Sequence, residues 1–255
     1  LICQVAPQGR LIQGRDGNFY GMTGYGGATG SGMLLEMARA EWKPVWRGVA
    51  RLRRLHGRIC YGLLVGGRGE AMHADPALWP DLPYVTWRET ATTLHLWTQI
   101  VGKIRLSLAP WVNHSWQVPL YVTARGLGTS AIPFGTENLE MEFDFIGHRL
   151  LARTSRGDER TLALVPQPVA DFYSRVVDLL NRLGVPVSIN ELPSELPHPL
   201  RLPDDRVHRA YDPDAVHRFW RALVQVDRIF KLFRSGFLGK VSAVHFFWGS
   251  FDLAV

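Results

Sequence analysis

Beyond residue 71 the sequence has no cysteine, because its two, Cys3 and Cys60, both fall earlier. A disulfide framework and a thiolate metal site are therefore excluded from the longer part of the chain, and the pattern suits a reducing compartment, the cytoplasm. Also missing is any run near the roughly eighteen apolar residues of a membrane span. The N-terminus lacks the basic, apolar and small-residue succession of a secretory signal. No Walker loop, Gly-x-Ser-x-Gly elbow or His-Glu-x-x-His pair is present, and the glycines of residues 24–32 miss the Gly-x-Gly-x-x-Gly spacing. Excess charge is missing where it would matter. Residues 1–71 carry ten Lys and Arg against four Asp and Glu, which is the whole formal charge of +6, and the remaining 184 residues hold 19 of each sign. Phosphate-backbone recognition needs Lys and Arg clustered on the binding domain itself, so neither nucleic acid nor a membrane is expected as a partner.

What is present divides at about Met72. Fifteen of the 25 glycines lie in residues 1–71, a density that favours tight turns between short strands. The stretch Gly14-Arg-Asp-Gly-Asn-Phe-Tyr-Gly21 leads into Gly24-Tyr-Gly-Gly-Ala-Thr-Gly-Ser-Gly32, and Met33-Leu-Leu-Glu-Met37 follows as a short apolar strand. Residues 8–37 resemble one copy of the glycine-rich tandem repeat of the choice-of-anchor family. A lone repeat cannot bury its apolar face without neighbours, so no stable function is expected of it. Residues 38–71 are rich in arginine and read either as a basic arm or as a misjoined translation ahead of a start at Met72. A short helix near Val45 to Leu55 follows from the spacing of Val45, Val49, Leu52 and Leu55.

Residues 72–255 read as one α+β domain, an antiparallel β-meander packed against long helices. Thr86-Trp-Arg-Glu89 fits a capping box, and Leu94, Trp97, Val101, Ile104 and Leu108 recur on one helical face until Pro110. Gln117 to Arg125 alternates with period two, a strand. Leu139, Met141, Phe143 and Phe145 alternate with Glu140, Glu142 and Asp144, predicting a half-buried strand whose acids form a solvated face. A two-residue turn at Gly147-His148 would set Phe145 opposite Leu150 and Glu142 opposite Arg153. Strands at 149–154 and 160–165, a helix over 169–183 stopped by Gly184 and a strand over 185–192 complete the middle. Pro193, Pro197, Pro199 and Pro203 enforce an extended connector. Asp212-Pro213 opens the longest helix, with a stripe from Val216 to Phe237 and an end at Gly239. Two apolar strands, 243–248 and 251–255, break at Gly249-Ser250.

Five ordered blocks carry a second resemblance: Trp79-Pro-Asp-Leu-Pro-Tyr84, the helical segment Thr93 to Lys103, Val118-Pro-Leu-Tyr-Val-Thr-Ala-Arg-Gly126, Glu142-Phe-Asp-Phe145 and the stretch His245 to Ala254. Together they resemble the bacterial family called domain of unknown function 5996, over residues 77–255. The resemblance implies that a C-terminal part lies beyond Val255. The family name brings no activity, so no catalytic residue or cofactor is transferred with it.

The chemistry on offer is a set of polar side chains in aromatic surroundings: His95 near Trp97, His114 near Trp116, Arg125 at a strand end, and His245 near Trp248. A cleft of His, Arg and Trp suits a small anionic or aromatic molecule, since Arg pairs with carboxylate or phosphate, Trp supplies flat apolar area and neutral His moves protons near pH 7. The expected place is near the C-terminal end of the first helix and the strand starting at Ala243. Each histidine has a plainer fate as a satisfied interior side chain. The three lie on separate elements without local ligand spacing, so no metal is expected. The alternative is a non-enzymatic interaction or structural module whose aromatics build a core. Whether the domain is an enzyme, and its oligomeric state, are left open by the sequence.

Overall fold

The computed structural model describes residues 79–255 and, before them, the backbone of four short strands, β1 (Ala6–Pro7), β2 (Ile12–Gln13), β3 (Phe19–Tyr25) and β4 (Met33–Met37). The helix expected near Val45 to Leu55 and the arginine-rich stretch lie outside the described residues. The chain divides into two compact units, one of Leu1–Asp81 with Leu232–Gly239 and one of Leu82–Lys231 with Lys240–Val255. In the first, β3 pairs antiparallel with β1, β2 and β4, and Met33 stands opposite Thr23.

The second unit is built around α1 (Tyr84–Leu108). Leu94, Leu96, Trp97, Ile100, Val101 and Ile104 are all at most 1% exposed, so the helix is wrapped on nearly all sides rather than lying on a surface. The capping box does not form. The helix starts three residues early behind Pro83, and the Thr86 hydroxyl donates to the Pro83 carbonyl at 2.8 Å instead of holding an amide. Proline at the N-cap removes one of the four unpaired amide groups, and the Thr86 N–H turns back onto Pro83 O at 3.0 Å. Leu108, at the exit, is half-buried.

One antiparallel sheet carries the middle of the chain, in the order β10 (Glu159–Ala163), β9 (Arg149–Thr154), β8 (Glu137–Asp144), β6 (Gly126–Gly128) and β5 (Tyr121–Val122), with β7 (Ile132–Phe134) also on β8. The fold is thus α+β, as the periodicity predicts. The expected strand over 117–125 is corrected to two residues, because Thr123 turns the chain back: its N–H donates to Gly126 O at 2.9 Å, and its hydroxyl accepts from the N–H groups of Arg125 and Gly126. Gly126 permits the return, since a Cβ there would lie 1.8 Å from the Phe143 carbonyl oxygen. The turn between β8 and β9 has four residues, not two. Asp144 pairs with Arg149, Phe143 with Leu150 and Glu140 with Arg153, because the Asp144 carboxylate accepts the N–H groups of Ile146 and Gly147 and builds a wider turn.

Helix α2 (Val169–Arg182) ends at Gly184 (φ 70°), and it buries Phe172, Val176, Leu179 and Leu180, with Leu183 buried just beyond its end. Phe172 stacks on Trp97 at 4.4 Å and lies 6.5 Å from Phe143, so one ring joins helix, helix and sheet. Residues 185–192 form no strand. Ser188 O and Leu192 O are taken instead by the Ser107 hydroxyl and the Lys103 ammonium, and Asn190 Oδ1 holds the Leu192 N–H. Helix α3 (Pro213–Ser235) opens as expected, with Asp212 Oδ1 accepting the Ala215 N–H at 3.1 Å, but it stops at Ser235, and Phe237 beyond it is exposed. β11 (His245–Phe247) and β12 (Asp252–Ala254) make the final hairpin, which is bonded to the sheet through Leu120 and Phe246.

Candidate functional site

Every fourth residue along one face of α1 is polar: His95, Gln99 and Lys103. Each meets backbone from the segments that close over the helix. Gln99 donates from Nε2 to Ser194 O at 2.9 Å and accepts the Ser194 N–H at 2.7 Å, replacing a rung of sheet. Lys103 Nζ donates to Leu192 O at 2.9 Å and lies 5.9 Å from the Trp248 ring. His95 Nε2 is 2.9 Å from Gly249 O and 3.0 Å from Gln99 Nε2; the first contact is a hydrogen bond with the proton on that nitrogen, the second with the proton on Nδ1. Burial lowers the His95 pKa from 6.5, against the opposing pull of the Gly249 and Trp248 carbonyls and Asp252, so the ring is neutral at pH 7.

Arg105 leaves α1 on another side and is 6% exposed. Its Nε donates to Gln117 O and Nη1 to Pro119 O, both at 2.6 Å, Nη1 donates also to Thr129 O, and Nη2 to the Ser130 hydroxyl at 3.2 Å. All of these partners are neutral. Among the described residues neither Arg105 nor Lys103 forms an ion pair. Burial pulls both pKa values down, with Tyr121 opposing at Arg105. Carbonyl dipoles solvate the guanidinium but do not cancel its charge, and a buried charge reaches far in a medium of low dielectric.

That charge sits under a hollow of about 80 Å³ lined by Trp116, Pro119, Tyr121, Val241, Ser242, Ala243 and His245. Arg105 is bonded to one wall residue, Pro119, and lies 5.3 Å from the ring of another, Tyr121. Lys240 Nζ stands 5.4 Å from the Trp116 ring. Two cations therefore flank the hollow, with His245 and Tyr121 among its polar lining. His245 Nδ1 donates to Ala243 O at 2.7 Å, which fixes the ring's direction. The volume is well below the roughly 300 Å³ at which whole small-molecule ligands are enclosed, and corresponds to a head group of a few heavy atoms.

The seven residues singled out from the sequence do not share one place. Trp116 and His245 meet at the hollow, and His114 adjoins Trp116 at 5.2 Å from an exposed left-handed turn (φ 61°). Trp248 faces Gly102 and donates its N–H to Val118 O at 2.9 Å, and His95 meets the same hairpin one residue on, at Gly249. Trp97 is fully buried between Phe172 and Tyr211, and its N–H has no partner. Arg125 belongs elsewhere, paired with Asp144 at 2.9 Å. Asp144 also corrects the expected solvated acidic face: it is fully buried, while Glu140 is exposed. Burial alone would raise its pKa, but donors from Arg125, Gly147, Ile146 and Arg149 outweigh that and hold it below the usual carboxylate value.

Sequence reasoning passed over Lys103 and Arg105. The available signal was two cations inside the apolar run Ile100-Val-Gly-Lys-Ile-Arg-Leu106, positions that an amphipathic helix would give to aliphatic side chains. Among the described residues no helix is long and apolar enough to cross a membrane, and no group of three or more His, Cys, Asp or Glu side chains is placed to hold a metal ion. In comparison with known proteins, a family profile described as "Family of unknown function (DUF5996)" matches residues 79–255. No curated protein and no solved structure matches the chain.

Proposed function

The chain belongs to the DUF5996 family of unknown function, and from that premise we propose that residues 79–255 bind a small anionic molecule, its charged head group seated in the hollow between Trp116 and His245. The observation that carries this reading is Arg105, a buried guanidinium with only neutral partners, directly behind Pro119 and Tyr121. An anion entering the hollow supplies a counter-charge across the wall formed by Pro119 and Tyr121, and Trp116 with Lys240 gives a flat, positively biased wall for the adjoining part of the molecule. A neutral molecule of the same shape gains only the apolar part.

The test is isothermal titration of the full chain with benzoate and indole-3-carboxylate, against benzamide as the neutral control. Binding of the acids but not the amide, lost by about tenfold or more in Trp116→Ala and His245→Ala, supports the site, tenfold being about 1.4 kcal/mol. Equal binding of benzamide and benzoate removes the electrostatic reasoning. A second reading, an interaction module whose aromatics form a core, rests on a specific observation: His95 and His245 each set a ring nitrogen against a backbone carbonyl, as interior histidines do. It predicts no acid binding, and for His245→Ala a loss of stability in place of a loss of affinity.

A further inference from the structure

A second cationic centre lies at the turn between β8 and β9, and it uses different residues. Arg125, on the turn between β5 and β6, and Arg149, at the start of β9, converge on one oxygen of Asp144: Arg125 Nη2 at 2.9 Å and Arg149 Nε at 3.2 Å from Oδ2. The other oxygen, Oδ1, accepts the N–H groups of Ile146 at 3.1 Å and Gly147 at 2.9 Å. The carboxylate is fully buried, whereas each arginine side chain is 46% exposed. The backbone is fitted to this arrangement, since a Cβ on Gly147 would lie 2.7 Å from Asp144 Oδ2 and 3.3 Å from Arg149 Nε.

Two guanidiniums on one carboxylate leave a net charge of +1, and the carboxylate's role is to hold the two forks in fixed relation. Each arginine has five N–H donors and gives Asp144 one, so most of its donors remain. His148, on the β8–β9 turn, is bonded through Nδ1 to the buried Tyr211 hydroxyl at 3.0 Å and lies near His217. Trp220, one turn further along α3, donates to Thr123 O at 3.1 Å and so stands over the turn that carries Arg125. The nearby acids are Glu142, held by the Thr123 hydroxyl and facing Arg153, and Asp214, in the first turn of α3 near His148.

We infer that Arg125 and Arg149, aligned by Asp144, form a binding site for a phosphate oxyanion. Planar guanidinium forks match phosphate oxygens in pairs, and pre-alignment by a buried acid removes much of the entropy that two free arginines would lose. The site is independent of the hollow near His245. The source of the phosphate is either the free ion or a phosphomonoester, and Trp220 offers an aryl or heterocyclic ester a surface.

Isothermal titration of the full chain with inorganic phosphate and, separately, phenyl phosphate tests this. Saturable binding is expected, weakened at least tenfold by Arg125→Gln and by Arg149→Gln but unchanged in Arg153→Gln. Tighter binding of phenyl phosphate identifies an ester; equal binding identifies the free ion. Asp214→Asn removes a neighbouring negative charge and should tighten binding by roughly two- to threefold, an effect that loss of fold cannot imitate. No binding of either probe, binding indifferent to both arginine variants, or weakening by Asp214→Asn would overturn the inference.

Discussion

Gly102→Ala sets two effects of opposite sign against each other. In isolation the change favours α1 by about 1 kcal/mol, because alanine loses less backbone entropy in a helix. At residue 102, however, the new Cβ would lie 2.3 Å from three atoms of the Trp248 ring. Ordinary carbon contacts sit near 3.5–4.0 Å, so the ring must retreat by roughly 1.2 Å or more. Trp248 is only 5% exposed, and its N–H is committed to Val118 O at 2.9 Å, so retreat strains a packed hairpin and breaks that bond. Overpacking contributes about 1–3 kcal/mol and the stranded carbonyl about 1–3 kcal/mol. After subtracting the helix gain, the net loss is about 1–5 kcal/mol, with a centre of about 3 kcal/mol. Urea unfolding followed by circular dichroism measures it as a lower midpoint at unchanged slope. The same substitution in a Trp248→Ala background should become stabilising, by up to about 1 kcal/mol, because the obstacle is gone. A Gly102→Ala chain as stable as the parent, or a penalty that persists without the indole, refutes the contact.

Three further outcomes follow from buried charge. The folded pKa of His95 is depressed, so below pH 6.5 the unfolded chain binds more protons than the folded one; stability is full above pH 6.5 and is lost as pH falls toward the folded value. His95→Gln should flatten that slope in urea titrations between pH 7 and 5 without abolishing it, since His148 shifts the same way, mainly by burial; an unchanged slope excludes His95 as its source. Asp144→Asn should destabilise by about 2–3 kcal/mol, below the usual figure for a broken buried pair because both arginines are half-exposed. It should also remove part of the acid limb below pH 4, where a carboxyl with depressed pKa gives up its contribution; acid unfolding identical to the parent's would contradict the assignment. Lys103→Met should stay within about 1 kcal/mol of the parent, as the lost bond to Leu192 O is offset by removing a desolvated ammonium, and a loss above 3 kcal/mol in thermal unfolding would assign the lysine a stronger partner.

Periodicity was enough for the elements whose neighbours are uniform. Leu139, Met141 and Phe143 alternate against one core, and all three are fully buried; Phe172, Val176, Leu179 and Leu180 do the same on α2. It failed where a side chain, not the sheet ladder, decides the backbone. Thr123 ends a strand that alternation would extend to Arg125, because a hydroxyl that accepts two N–H groups stabilises a turn that hydropathy does not register. Asp144 shifts the β8–β9 register for the same reason, and its burial then reverses its expected role from solvated acid to the fixed point of two arginines.

The hollow and the arginine centre differ in how each cation is held, and that difference explains why one was half-legible. Trp116 and His245 could be named as candidates because aromatic residues beside histidine stand out in composition, yet what biases their hollow is Arg105, twelve residues before Gln117 and hidden within an apolar helix. A lone interior guanidinium is unfavourable unless its donors are satisfied. Gln117 O, Pro119 O, Thr129 O and the Ser130 hydroxyl satisfy them, and all come from loops after α1, so the folded chain wraps those loops around the cation. The same wrapping brings Pro119 and Tyr121 to the hollow's wall. Folding and the positive potential of the hollow thus rest on one side chain, and Arg105→Met separates them: the loops keep their apolar contacts but lose both their anchor and the charge. If acid binding at the hollow survives that substitution in a chain that still folds, the potential comes from Lys240 alone.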